Sequence, residues 1–91
     1  MIKVTKLEPL DNFGLRLQFS DGTSGVLDCR AIVAEDGPMV EPLRDPEFFA
    51  RAFITFGAPT WPNGYDMAPW TVRAELEATG ALEPASANAA E

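Results

Sequence analysis

The sequence predicts an α+β fold, in which a small, mainly antiparallel sheet is joined by a short helix in the middle of the chain and a second helix at its C-terminal end. Three observations carry that expectation. Apolar residues alternate strictly from Phe13 to Phe19, as on a half-buried strand. Asp45-Pro46-Glu47 is a helix start, with an acid at the cap and proline at the first helical position. Pro69 to Thr79 has helical spacing and stops at Gly80. Strands, a helix, strands again and a terminal helix is the order of an α+β domain.

Taken in order, Ile2, Val4, Leu7 and Leu10 outline a first strand, with its alternation disturbed near Pro9. Asp11-Asn12 is a turn. In the next strand Phe13, Leu15, Leu17 and Phe19 share one face, and Gly14, Arg16 and Gln18 the other. Ser20 to Thr23 supplies turn residues, and Gly25 to Arg30 returns as the second arm of a hairpin. Leu27 and Cys29 then point one way, which makes Cys29 a small buried filler; no neighbouring positive charge would turn it into a reactive thiolate.

Ala31 to Glu35 forms a short helical turn ended by Asp36-Gly37, and Pro38 opens another through Leu43. The middle helix runs from Pro46 to about Ala52. Phe53 to Phe56 is a strand that stops at Gly57, with Ala58 to Trp61 as its return. Prolines 59 and 62 confine that return to an edge. On the last helix Trp70, Ala74 and Leu76 are apolar, and Arg73 and Glu77 are spaced as an i,i+4 ion pair.

Ninety-one residues, 46% apolar and 23% charged, make one domain with one core, expected over residues 1–80. Residues 81–91, ALEPASANAAE, form an acidic, alanine-rich tail with only Leu82 to bury, and disorder is expected there. A chain this short has a modest core, so a partner or a second copy would add substantially to its stability.

Charge excludes some functions. The net charge is −7, from 14 acids against 7 bases, and Lys3, Lys6, Arg16, Arg30, Arg44, Arg51 and Arg73 never form a run. Nucleic-acid backbones are held by clustered Lys and Arg, so no direct nucleic-acid binding is expected. An acidic surface suits a basic protein partner instead. One cysteine allows no internal disulfide, and the absence of histidine removes the commonest metal ligand and acid/base group. No glycine-rich phosphate loop is present, so neither a cofactor nor a metal is expected. Without a leader or a long apolar run, the expected location is the cytoplasm, away from membranes.

The most distinctive stretch is TWPNGYDMAP, Thr60 to Pro69. Asn63-Gly64 is the favoured pair for a two-residue hairpin turn, both positions accepting positive φ. In that setting Trp61 belongs to the core, Tyr65 covers the edge, and Asp66 caps the helix that begins near Pro69 or holds the loop amides. If the stretch also serves function, its candidate surface is Trp61, Asn63, Gly64, Tyr65, Asp66 and Trp70.

FSDGTSGVLDCRAI, PLRDPEFFARAF and TWPNGYDMAP, in that order, resemble the bacterial domain-of-unknown-function family 2442. The shared pattern is an Asp-Gly hairpin (Asp21-Gly22), an Asp near the end of the next strand (Asp28), an L-x-D-x-x-x-F segment (Leu43, Asp45, Phe49) and a W-x-N-G-x-D-x-x-P ending (Trp61, Asn63, Gly64, Asp66, Pro69). The resemblance covers about Ile2 to Trp70. It implies a small α+β domain, in some relatives joined to a C-terminal helix-turn-helix that is not expected here. It also implies a neighbouring small protein as partner, in the manner of a toxin-antitoxin pair.

The leading expectation is therefore a protein-binding or accessory module, catalytic residues none, that pairs with the product of an adjacent gene or with itself. The alternative is a small enzyme or ligand-binding domain using the carboxylates of Asp28 and Asp66, with Tyr65 or Arg30 nearby. That alternative requires Asp28 and Asp66 to converge in one pocket.

Overall fold

Three antiparallel strands, β1 (Val4–Leu10), β2 (Gly14–Phe19) and β3 (Ser24–Asp28), lie side by side in that order in a computed structural model that describes residues 1–85. A short helix α1 (Arg30–Val33), a 3-10 turn at Glu41–Arg44 and a second short helix α2 (Pro46–Phe49) follow. The chain then makes a separate two-stranded hairpin, β4 (Phe53–Thr55) with β5 (Ala58–Thr60), and a ten-residue helix α3 (Pro69–Ala78). This is the α+β arrangement with antiparallel sheets and a C-terminal helix that the sequence predicts.

β2 is the central strand, and its alternation decides the two faces of the sheet. Leu15 pairs with Leu27 on β3 and with Pro9 on β1, while Leu17 pairs with Gly25 and Leu7. Leu15, Leu17, Phe19 and Leu27 enter a core completed by Val4, Cys29, Val33, Leu43, Phe49, Trp61, Val72 and Leu76. Burial of this apolar surface is the main driving force for the fold. Lys6, Arg16 and Val26 are exposed on the opposite face.

Helix α3 seats on β3 because Gly25 has no side chain. A Cβ there would lie 2.8 Å from the carbonyl oxygen of Ala81 and 3.2 Å from Leu76 Cδ1. Gly80, at φ +75°, ends α3 as expected, and the Ala81 and Leu82 N–H groups both donate back to the Leu76 carbonyl.

Several local expectations are corrected. Phe13 is not the first residue of β2: it sits in a 3-10 turn at φ 62°, and its ring turns inward to meet Phe49 edge-on at 5.2 Å. The irregularity in β1 falls between Val4 and Lys6, whereas Pro9 stays in register on this edge strand, where a missing N–H breaks no ladder bond. Helix α2 ends at Phe49 rather than near Ala52, because the following amides, Arg51 and Ala52, close tighter bonds to Phe48 and Phe49. Arg73 does not pair with Glu77. It reaches across to Asp21 in the β2–β3 turn, Nη2 to Oδ2 2.9 Å, because α3 lies over that turn.

Residues 81–85 lie against β3, where Ser24 N–H donates to Glu83 (3.1 Å) and Glu83 N–H donates to Ser24 (2.7 Å). The rest of the expected acidic tail, 86–91, lies outside the described residues.

Candidate functional site

The Trp61 to Trp70 segment divides into a part that holds the fold and a part that faces outward. Trp61 is 1% exposed, and its indole N–H donates to the Phe49 carbonyl at 2.9 Å. The expected two-residue Asn-Gly turn is a three-residue loop instead, Pro62-Asn63-Gly64. Gly64 N–H donates to Trp61 O and Trp61 N–H to Tyr65 O, both at 2.8 Å. Pro62 imposes the negative φ of a type I turn, so only Gly64, at φ +92°, takes the left-handed position.

Asn63 fastens this loop at two places. Its Oδ1 accepts from Tyr65 N–H at 3.2 Å and its Nδ2 donates to the Met39 carbonyl at 2.9 Å. The β2–β3 connection repeats the construction, with Gly22 N–H donating to Phe19 O, Phe19 N–H to Thr23 O, and Asp21 Oδ1 accepting from Thr23 N–H at 3.1 Å. Tyr65 lies half-buried, its ring 5.8 Å from that of Trp61. Burial pushes its phenol above the ordinary value of 10.0, and the charge of Glu35 adds to the effect.

Asp66 does not cap α3. The cap residue is Ala68 and carries no side-chain bond, and Asp66 is instead drawn into backbone pairing with Thr60. Its neighbour Met67 donates N–H to the Pro59 carbonyl at 3.0 Å, so residues 66 and 67 run beside β5.

This pairing builds an open face. Pro59 and Trp61 are buried, so by strand alternation Ala58 and Thr60 turn outward, with their partners Thr55 and Phe53 on β4. A depression of about 310 Å³ lies there, lined by Thr55, Phe56, Ala58, Asp66, Met67 and Trp70 together with residues 1–3. Phe56 is 95% exposed, Trp70 56% and Phe53 45%.

Phe56 and Phe53 were missed as site residues, since they look like ordinary strand residues. The available signal was Phe56 at the first position of a Phe-Gly turn. Thr55 pairs with Ala58 around it, with φ 50° at Phe56 and 78° at Gly57, a type I′ geometry that favours Asn or Gly. A bulky residue held there stores about 1–3 kcal/mol of strain.

The two carboxylates of the enzyme reading are used separately. Asp28 is clamped by Arg30, Nη2 to Oδ2 2.7 Å, and the bonds from the Arg30 side chain and backbone hold its carboxyl below the ordinary 3.8. Asp66 lines the depression and Asp28 does not. A second depression, about 940 Å³ over the exposed face of β1–β3, is lined by neither. Among the described residues no group of three or more His, Cys, Asp or Glu is placed to hold a metal ion, and no helix is long and apolar enough to cross a membrane.

A family model described as protein of unknown function (DUF2442) matches residues 4–77, from the first strand through most of α3. The chain belongs to the DUF2442 family. No curated protein and no solved structure matches it. The motif residues of this DUF2442 chain have identifiable tasks in the fold. Asp21 organises the first turn, Leu43 is buried, Asp45 accepts from Glu47 N–H at the start of α2, and Phe49 supplies the carbonyl for Trp61. Of the six candidate surface residues, Trp61, Asn63, Gly64 and Tyr65 hold the loop, and Asp66 and Trp70 meet at the open face.

Proposed function

We propose that this DUF2442 chain is a protein-interaction module, pairing with the product of an adjacent gene as one half of a toxin-antitoxin-like couple. The supporting observation is the open face of the β4–β5 hairpin, where Phe56 and Trp70 line one depression and stay in contact with water, with Phe53 also exposed on β4. Exposed aromatics grouped around one depression are the usual mark of a surface that is covered in a complex.

The test is size-exclusion chromatography with light scattering on the chain alone and coexpressed with its genomic neighbour. A stoichiometric complex is the expected result. A chain that elutes unchanged, with the neighbour in a separate peak, would end the pairing.

A further inference from the structure

We infer that Asn63-Gly64 is a latent site of spontaneous deamidation, held unreactive in the folded loop and reactive once the loop opens, after which the loop cannot return to its present form. This stands independently of the interaction-module reading. Of Asn12, Asn63 and Asn88, only Asn63 is followed by glycine, the one residue with no side chain to obstruct attack by its own backbone nitrogen.

In the reaction the Gly64 amide gives its proton to solvent base, and the nitrogen attacks Asn63 Cγ. The Cγ–Nδ2 bond breaks and Nδ2 leaves as ammonia, which closes a succinimide ring. Water then opens the ring at either carbonyl, to aspartate or to isoaspartate. The balance is one water consumed and one ammonia released, with no change of oxidation state.

Every reacting group is engaged in the folded loop. Gly64 N–H, which must lose its proton, donates to Trp61 O at 2.8 Å. Nδ2, the leaving group, donates to Met39 O at 2.9 Å, and Oδ1 accepts from Tyr65 N–H at 3.2 Å. The backbone opposes the ring as well. The Gly64 to Trp61 bond closes a type I turn with Pro62 and Asn63 at its centre, and φ at Asn63 is not positive. In that turn ψ of the third residue is about 0°, which leaves its Cβ about 120° from the next nitrogen around the Cα–C bond. The succinimide needs the two nearly eclipsed. Ring closure therefore waits for a rotation that breaks the bond between Gly64 and Trp61, and the reaction belongs to the open loop.

The products close the way back. Aspartate at this position has no donor for the Met39 carbonyl and sets a carboxylate against it. Isoaspartate adds a methylene to the backbone between Trp61 O and Gly64 N–H, so the turn no longer matches its hydrogen bond.

The test incubates the full chain at mildly alkaline pH, folded and in urea, with a peptide spanning Thr60 to Asp66 in each buffer as the reference. Peptide mass mapping follows the conversion of Asn63. In urea the chain should react as fast as the peptide, and folded it should react about tenfold or more slowly. The slowing should match the hydrogen-exchange protection of the Gly64 amide, read by NMR under the same conditions. Pro62→Gly removes none of these hydrogen bonds but loosens the turn, and should raise the folded rate about twofold or more. Chain deamidated in urea and then refolded should show reduced protection at the Gly64 and Tyr65 amides. A folded rate equal to that of the peptide, or one that ignores both Gly64 protection and Pro62→Gly, would overturn the gating. Unchanged protection of those amides in the refolded, deamidated chain would overturn the one-way step.

Discussion

The indole N–H of Trp61 donates to the carbonyl oxygen of Phe49 at 2.9 Å, with the two ring centroids 5.6 Å apart. One side chain thus joins the end of α2 to the strand that leads out of β5, and it does so inside the core. Trp61→Ala removes a buried ring and leaves a cavity, which should cost about 3–5 kcal/mol. Trp61→Phe should cost less, since it keeps much of the packing and loses the donor to Phe49. Urea melts of the two variants check this; a Trp61→Ala protein as stable as the parent would show that the ring does not carry the core.

The loop after Trp61 depends on a carboxamide rather than on the positive φ of two residues. Asn63→Asp keeps the acceptor for Tyr65 N–H but loses the donor to Met39, and Asn63→Ala loses both. At about 0.5–1.5 kcal/mol for each hydrogen bond, the alanine variant should fall below the aspartate variant in stability. Thermal melts in parallel give the order, and equal melting of the two would remove the Tyr65 bond from the account.

These relationships show what could be seen in the sequence. The alternation through Leu15, Leu17 and Phe19 exposes the central strand and its buried face, because a period of two admits no helix. Asp45-Pro46-Glu47 likewise marks the start of α2 through capping chemistry that is entirely local. Arg73 could not be placed the same way. Spacing offers Glu77 one turn along the helix, but its partner Asp21 is 52 positions away and meets it only once α3 lies over the β2–β3 turn. The open face was hidden for a similar reason, since β4, the segment beside β5 and the start of α3 each contribute only part of it.

Asp21 should add an acid limb to the stability profile. Bonds from the Thr23 hydroxyl and N–H, with the Arg73 guanidinium beside them, hold its carboxyl below the ordinary 3.8 in the folded chain. The unfolded chain therefore takes up this proton first as pH falls. The Asp21 contribution is fully present above the unfolded value of about 3.9 and disappears as pH drops through the folded one. The stability gap between the parent and Asp21→Asn should be constant near neutrality and close in acid. A gap that persists unchanged to the lowest pH would assign the loss to hydrogen-bond geometry rather than to charge.

Cys29 should be silent toward thiol reagents in the native state. Burial, reinforced by the negative charge of Asp28, pushes its thiol up to about 12, and the side chain is packed in the core. The thiolate is the nucleophile, so alkylation at mildly alkaline pH has to wait for unfolding. Mass spectrometry after timed alkylation should show labelling only in denaturant. Rapid labelling of the folded chain would mean that the core around Cys29 opens.

Phe56 separates stability from binding. It occupies the first central position of a type I′ turn at φ 50°, where a bulky side chain is strained, and its ring is almost wholly in solvent. Asparagine accepts that backbone conformation and would leave the Phe56-Gly57 site as Asn-Gly, the favoured pair. Phe56→Asn should therefore raise stability by about 1 kcal/mol, within the range of the strain it relieves. The same change removes an aromatic from the open face and should weaken partner binding. Thermal melts measure the first effect and titration with the neighbouring protein the second. A residue that stands against the preference of its own turn, and is covered by almost nothing among the described residues, is accounted for if the contact it makes lies in another molecule; a Phe56→Asn variant that is both less stable and equally well bound would refute that account on both counts.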